Sequence, residues 1–321
     1  MPDDAIDPSR LTALLHAATL APSSHNTQPW LFRVGEHAID LLADRTRALP
    51  VNDPHDRELT ISCGCALFNL RVAAAAAGLQ ARLQLLPDPA DADLLARVQL
   101  EPADGALALA ALAAAIGARR TCRERFAPRA IAADAWPTVA AAAAAEGATL
   151  QCLERDEQRD AACALVAEGD AKLWADPRWR RELAAWMHPR RRGDGLVLPA
   201  LAAPVAQLVV RSFDLGHGVA AKDRELAAGS PVLAVLWTAG DTPADWLAAG
   251  QALQRALLAG VQQGLQASHL NQPVQVPALR GRLQQLTGRA GCAQLLLRFG
   301  YPTRPLPAAP RRPPGDLIVA D

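Results

Sequence analysis

Lysine is nearly absent: Lys172 and Lys222 stand alone among 33 basic residues, and 33 acidic residues balance the whole set. A chain without net charge has no global field to recruit nucleic acid or an anionic membrane, so any anion must be held by local clusters. Those clusters are built from arginine, whose planar fork suits phosphate oxygens. No apolar run reaches the roughly 18–20 residues of a membrane span. The acidic start, Met1-Pro2-Asp3-Asp4, lacks the basic residues and apolar core of a secretion signal. A soluble, cytoplasmic protein without a membrane partner is the expectation. The six cysteines form no C-x-x-C pair, which argues against a disulfide scaffold. Cys63-Gly64-Cys65 offers two thiols where a structural zinc takes four ligands, so these are read as small buried residues on a helix and no metal is assigned. G-x-x-x-x-G-K and G-x-G-x-x-G are also missing, which excludes a P-loop and a dinucleotide fingerprint.

What the chain does have is length and periodicity. Its 321 residues, half of them apolar, suffice for one large domain or two smaller ones. Asp7-Pro8 and Asp53-Pro54 each place a capping carboxylate before a proline and an apolar helix pattern. Strand-like runs fall at Trp30–Val34, Ala38–Ala43, 81–86, 97–100, 148–153, 231–237 and 294–299, with further helices expected at 104–116, 132–146, 154–187, 243–264 and from Pro277. From His188 to about Glu225, a stretch containing Arg190-Arg191-Arg192, periodicity fails, which suits a lid or mobile insertion. The pattern is α+β. Ala77-Gly78-Leu79-Gln80-Ala81 and Gln263-Gly264-Leu265-Gln266-Ala267 close the two long helices in nearly the same words, suggesting two related halves meeting near residue 118.

Three segments carry recognisable chemistry. Ala21-Pro22-Ser23-Ser24-His25-Asn26-Thr27-Gln28-Pro29-Trp30 crowds uncharged donors and acceptors between two prolines, which suits the polar rim of a flat heterocycle. Arg119-Arg120-Thr121-Cys122-Arg123-Glu124-Arg125-Phe126 packs four arginines into seven residues beside a hydroxyl, a plausible clamp for a terminal phosphate. A second basic group follows Gly300-Tyr301-Pro302 in the proline-rich tail, at Pro310-Arg311-Arg312-Pro313. Trp174, Trp179 and Trp186 recur at helical spacing and are read as packing. His16 and His25 have no acidic partner at a telling spacing and are read as structural.

The first segment resembles the A-P-S-S-x-N-x-Q-P-W motif of nitroreductase-like flavoproteins, the second their R-R-[ST]-x-R phosphate grip, and the tail their G-Y-P and later arginine pair. Asp53-Pro54 with Arg57-Glu58, Ser62-Cys63-Gly64, Asn69 and Leu270-Asn271-Gln272-Pro273 make the resemblance closest to the Acg-type branch, over nearly the whole chain. It implies an α+β nitroreductase-like fold made of two fused pseudo-repeats around mixed or antiparallel sheets, 1–117 and 118–321, with the insertion at about 174–225. One chain would then imitate a two-subunit flavoprotein, a monomer becomes plausible, and one FMN site would be complete. The residues assigned to FMN on this basis are Pro22, Ser23, Ser24, Asn26 and Gln28 along the ring and ribityl chain, and Leu270 and Asn271 beneath it. Arg119, Arg120, Thr121, Arg123, Arg311 and Arg312 are assigned to the phosphate. The activity implied is hydride transfer from NAD(P)H through FMN to a small electron-poor acceptor such as a nitroaromatic or quinone, with no catalytic acid or base nominated. The alternative is an FMN-binding or sequestering protein whose lid blocks the flavin face.

Overall fold

The computed structural model describes residues 7–189, 193–199 and 201–320; Arg190-Arg191-Arg192 lie outside them. Helix α1 (Pro8–Thr19) starts as its sequence dictates: Asp7 accepts from the Arg10 N–H and Pro8 takes the first turn, where its missing N–H costs nothing. Strands β1 (Trp30–Val34) and β2 (Ala38–Ala43) pair antiparallel, Trp30 opposite Ala43. Helix α2 (Arg57–Ala76) begins a turn later than its proline suggests. Asp56, left-handed at φ 55, is the cap residue, while the Asp53 carboxylate reaches the Leu59 N–H at 2.9 Å. Strands β3 (Leu79–Leu85) and β4 (Leu94–Pro102) follow. The single helix expected over 104–116 is instead a 3-10 turn, Ala108–Leu112, and a short α3 (Ala113–Ala118); neither start has a capping side chain.

The second half runs through α4 (Ala135–Ala144), β5 (Thr149–Cys152), α5 (Asp156–Ala175), α6 (Pro177–Ala185), α7 (Ala203–Ser212) and α8 (Gly216–Ala228). It continues with β6 (Val232–Thr238), α9 (Pro243–Gln262), β7 (Gln266–His269), α10 (Gln272–Gln275), α11 (Pro277–Thr287), β8 (Cys292–Gly300) and β9 (Ile318–Val319). Helices α7 and α8 correct the expectation of an aperiodic stretch from 188 to 225. Pro204 lies in the first turn of α7, where proline is tolerated, and Gly216 opens α8, so residues that read as breakers are helix starts.

Two sheets result, ordered β3-β4-β2-β1-β9 and β7-β8-β6-β5. Apart from β9 they repeat one another, with α2 leading into β3 and α9 into β7. Gly78 (φ 75) and Gly264 (φ 74) make the two exits, in the left-handed conformation that glycine adopts without penalty. Helices α2 and α9 pack against each other at Gly64 and Gly250: a Cβ on Gly64 would lie 2.5 Å from the Leu247 carbonyl oxygen, and one on Gly250 2.1 Å from that of Ile61. Helix α2 is long and apolar enough to cross a membrane by composition, yet 83% of its apolar window is buried inside the protein. Its Leu67 and Leu70 are fully enclosed in the main core with Leu253 and Leu257 of α9, and each such side chain contributes roughly 1.5–3 kcal/mol. Cys63 and Cys65 are buried on α2 as expected, their thiols donating to the carbonyls of Pro29 and Gly250, and burial pushes both thiols up, Cys65 to about 12.

Candidate functional site

The loop between α1 and β1 carries three left-handed non-glycine residues, His25 (φ 49), Asn26 (φ 55) and Gln28 (φ 52). Such conformations cost about 1–3 kcal/mol each and persist only when neighbours over-determine them. Here the neighbours come from distant parts of the chain. The Asn26 amide donates to the carbonyls of Gly195 (3.3 Å) and Pro310 (3.2 Å), and its oxygen accepts from Arg311 at 3.1 Å. The Gln28 amide donates to the Gly193 carbonyl at 2.8 Å, and its oxygen accepts from the Arg312 N–H at 2.9 Å. Ser23 Oγ accepts from the Gln28 N–H at 2.9 Å. Asn26 and Gln28 are therefore occupied in joining the loop to residues 193–195 and to the tail, while the serines before them bond within the loop and to Glu58.

They face a cavity of about 410 Å³. Pro22, Ser23, Ser24 and His25 form one rim, and Glu58, Ile61, Ser62 and Cys65 of α2 a wall. Thr121, Arg123, Ser268, His269, Leu270 and Asn271 enter from the second half. The roof belongs to the 174–225 region and to α5: Leu173, Trp174, Trp179, Leu183 and Val219 line it. Trp174 and Trp179 meet edge to face at 5.5 Å, and Trp179 donates to Asn52 Oδ1 at 2.8 Å. The tryptophans are thus packing residues, as their spacing suggests, and cavity walls as well. Ser24 Oγ donates to Glu58 Oε2 at 2.7 Å, and Gln275 to the same oxygen at 3.1 Å.

Arginines gather at the Thr121 end. Arg119 is 6% exposed and donates to the Leu20 carbonyl at 3.2 Å; Arg311 donates to the carbonyls of Leu20 (3.2 Å) and Ala21 (3.1 Å). Burial, with the Arg120 and Arg123 charges beside it, brings Arg119 down to about 10, and burial with Arg119 and Arg120 brings Arg311 down to about 9. Burial alone lowers Arg123. Among the described residues no carboxylate pairs with Arg119, Arg120, Arg123 or Arg311, and the Nε of Arg119, Arg120 and Arg311 is buried without a partner. Adjacent cations, three of them held by carbonyl oxygens and with donors to spare, are chemically suited to an anion. Arg125 turns away to pair with Glu225.

Of the residues singled out from sequence, Pro22, Ser23, Ser24, Thr121, Arg123, Leu270 and Asn271 line the cavity. Arg119, Arg120 and Arg311 form the charged group behind Arg123, whereas Asn26, Gln28 and Arg312 lie off the lining, Arg312 donating to the Gln28 carbonyl and pairing with Asp44 at 3.4 Å. Sequence reasoning missed Arg298, which is 1% exposed and holds the arginine turn by donating to the carbonyls of Glu124 (2.9 Å) and Cys122 (2.6 Å). Its signal was available: one charge inside Leu295-Leu296-Leu297-Arg298-Phe299. Glu58, Asp170 and Asp223 were also missed as cavity residues. His25 and His269 line the cavity too; burial, then neighbouring arginine charge, holds each down to about 4, so both are neutral near pH 7.

No protein-family model matches the chain. It is similar to the Mycobacterium tuberculosis protein named "Putative NAD(P)H nitroreductase Rv3131", 34% identical over 326 residues, covering 97% of this chain and 92% of that one. It is also similar to "Putative NAD(P)H nitroreductase acg" from the same organism, 30% identical over 331 residues, covering 99% and 98%. Among solved structures, a "putative nitroreductase" from Anabaena variabilis covers 92% of this chain and 88% of its own at a TM-score of 0.51 and 11% identity, a likeness of fold. At that level of sequence similarity along nearly the full length, the chain belongs to the nitroreductase-like family, in its Acg-type branch, and has that family's α+β fold.

Proposed function

We propose that the protein is an FMN-dependent oxidoreductase that draws hydride from NADH or NADPH and reduces a small electron-poor acceptor such as a quinone or nitroaromatic. The observation that carries this reading is the group Arg119, Arg120, Arg123 and Arg311, which has no carboxylate partner among the described residues and adjoins a cavity whose rim offers the hydroxyls of Ser23 and Ser24. That donor set fits a phosphate monoester at one end and a polar-edged ring at the other. When bound, FMN supplies the hydride chemistry and the protein supplies position and electrostatics.

On this geometry Thr121 and the four arginines would hold the phosphate. Ser23, Ser24 and Asn271 offer hydrogen bonds to the ribityl chain and ring, with Pro22 and Leu270 as apolar floor. Asn26, Gln28 and Arg312 act one step back: they fix the strained loop and the tail that carries Arg311. A cavity of about 410 Å³ sits low in the roughly 300–1,000 Å³ range of small-molecule sites, enough for one flavin-sized ligand. Nicotinamide and acceptor must then take turns, with the tryptophan roof moving to admit each. The same roof supports the second reading, an FMN-sequestering protein, should it stay shut. We also assign the two repeated sheets to halves divided near residue 118 that together play the part of two subunits.

The test is anaerobic. FMN-loaded protein is mixed with NADPH and with NADH while the flavin absorbance is followed. Bleaching by either supports the oxidoreductase; a flavin that dithionite reduces and both nucleotides leave untouched establishes sequestration instead. Arg123→Ala and Arg311→Ala should each weaken FMN retention about tenfold or more, since a hydrogen bond to a charged group is worth about 1.5–3 kcal/mol. Undiminished retention in both would remove the arginine group from the site.

A further inference from the structure

Two carboxyl groups reach the cavity from separate roof helices with one amide between them. Gln272 Nε2 lies 3.2 Å from Asp170 Oδ1 of α5 and 2.8 Å from Asp223 Oδ2 of α8. Asp170 lines the cavity although it is only 3% exposed, and its Oδ2 has no hydrogen-bond partner, nor has Gln272 Oε1. The amide is fixed by packing, because a Cβ on Gly169 would stand 2.7 Å from Gln272 Cβ. An ionised carboxylate with a bare buried oxygen is costly, whereas the protonated form turns that oxygen into a donor.

The surrounding charges divide the pair unequally. Burial raises Asp170 to about 7, the Asp223 charge adds to this, and the Gln272 bond opposes it. Burial also raises Asp223, but Gln272, Arg298 from β8 and Lys222 from α8 hold its charge. Of the other charges on neighbouring helices, Arg282 of α11 and Lys172 of α5 pair with Glu168, and Arg180 of α6 donates to the Trp174 carbonyl. Of two unequal carboxyls facing one amide, the less stabilised one, Asp170, keeps its proton to higher pH. Leu173 and Trp174, one turn further along α5, join Trp179 and Leu226 in the cavity wall, an apolar aromatic surface suited to a flat neutral ring.

We propose that Asp170 is the general acid of the acceptor reaction, donating its proton to an oxygen of a flat quinone-type acceptor lying against Trp174 and Trp179, while Asp223 carries the negative charge of the pair. This assignment rests on the oxidoreductase reading. Two-electron reduction of a quinone adds one hydride, drawn from the nicotinamide donor, and one proton. The Asp170 O–H bond breaks, the hydroquinone O–H bond forms, and the Asp170 carboxylate left behind takes a proton from water. Because the acid must be protonated to act, acceptor reduction slows as pH rises through about 7.

Asp170→Asn keeps the shape and removes the proton. The FMN-loaded protein is reduced with dithionite and then mixed with benzoquinone, which isolates the acceptor step from the nucleotide. The expected result is a loss of about 100-fold or more in the rate of that step, a KM for quinone changed by less than about threefold, and a flat pH profile in place of the wild-type decline. Infrared difference titration of the flavin-free protein supplies an independent readout: a carboxylic C=O band that titrates near neutrality in the wild type and vanishes in Asp170→Asn. An unchanged quinone rate, or an undiminished band titrating near 7, overturns the proposal; Asp53, which burial raises to about 6, supplies a separate band that stays. Failure of NADPH and NADH to bleach the wild-type flavin would instead strike the oxidoreductase reading, since the dithionite experiment does not use them.

Discussion

His25 and His269 show how far burial can set the chemistry of single residues here. Each imidazole is held down to about 4, mainly by burial and further by arginine charge, against about 6.5 for the unfolded chain. Below about pH 6.5 the unfolded state takes up protons that the folded state refuses, so stability falls as pH drops from about 6.5 to about 4 and is fully present above that window. The linkage amounts to at most about 3 kcal/mol per histidine. His25→Asn should flatten the acid side of the melting-temperature profile, because asparagine tolerates the left-handed backbone (φ 49) and does not titrate. A profile identical to the wild type would mean that the imidazole is already charged in the folded protein. Inorganic phosphate should oppose the acid loss by screening Arg119 and Arg123. At this scale the sequence was informative wherever order mattered: the Ser23-to-Gln28 loop reads as special because its residues stand in one arrangement. Which of them face the cavity could not be read, since that depends on Gly193, Gly195 and the tail arriving from far along the chain.

Among elements, the packing of α2 on α9 organises the rest, and it depends on two residues without side chains. A methyl on Gly64 meets backbone of Leu247, and one on Gly250 meets backbone of Ile61, neither of which can rotate away. Overpacking of this kind costs about 1–3 kcal/mol where side chains can adjust, and more where the obstacle is backbone. Gly64→Ala and Gly250→Ala should each destabilise by at least about 3 kcal/mol in denaturant unfolding. Gly117→Ala, in α3 with nothing within 4 Å of the added methyl, should be neutral or slightly stabilising. Equal effects at all three positions would show that the helix pair has room to separate. Strands β1 and β2 were legible to the residue because Pro29 and Gly35 bound regular apolar patterns. Strand β7 was not, since Gln266-Ala267-Ser268-His269 has no strand composition and is held by its backbone pairing to β8. Helices α7 and α8 were hidden by proline and glycine at their starts.

For the whole molecule, the question is whether a chain that repeats itself also repeats its site. The sheets share one order, and the tail crosses back so that β9 pairs parallel with β1, tying the second half to the first. The counterparts around the cavity differ in charge. The loop after α1 delivers uncharged Ser23 and Ser24, while the turn after α4 delivers Glu146, whose carboxylate is held by Arg71 of α2 at 2.6 Å and Arg255 of α9 at 2.6 Å, with Gln251 also bonded to Arg71. A carboxylate that already takes up donors of both guanidiniums stands where a second anion would have to bind, and separating those charges to admit one would be expensive. The arginine cluster also occurs once, at 119–125, with its partner Arg311 in the tail. We expect one FMN per chain, bound by a monomer. Flavin absorbance against protein concentration, combined with light scattering, checks both halves of this statement. Two flavins per chain would require a binding mode independent of the arginines, and a stable dimer that loses FMN on dilution would mean that a residue from another copy completes the cavity.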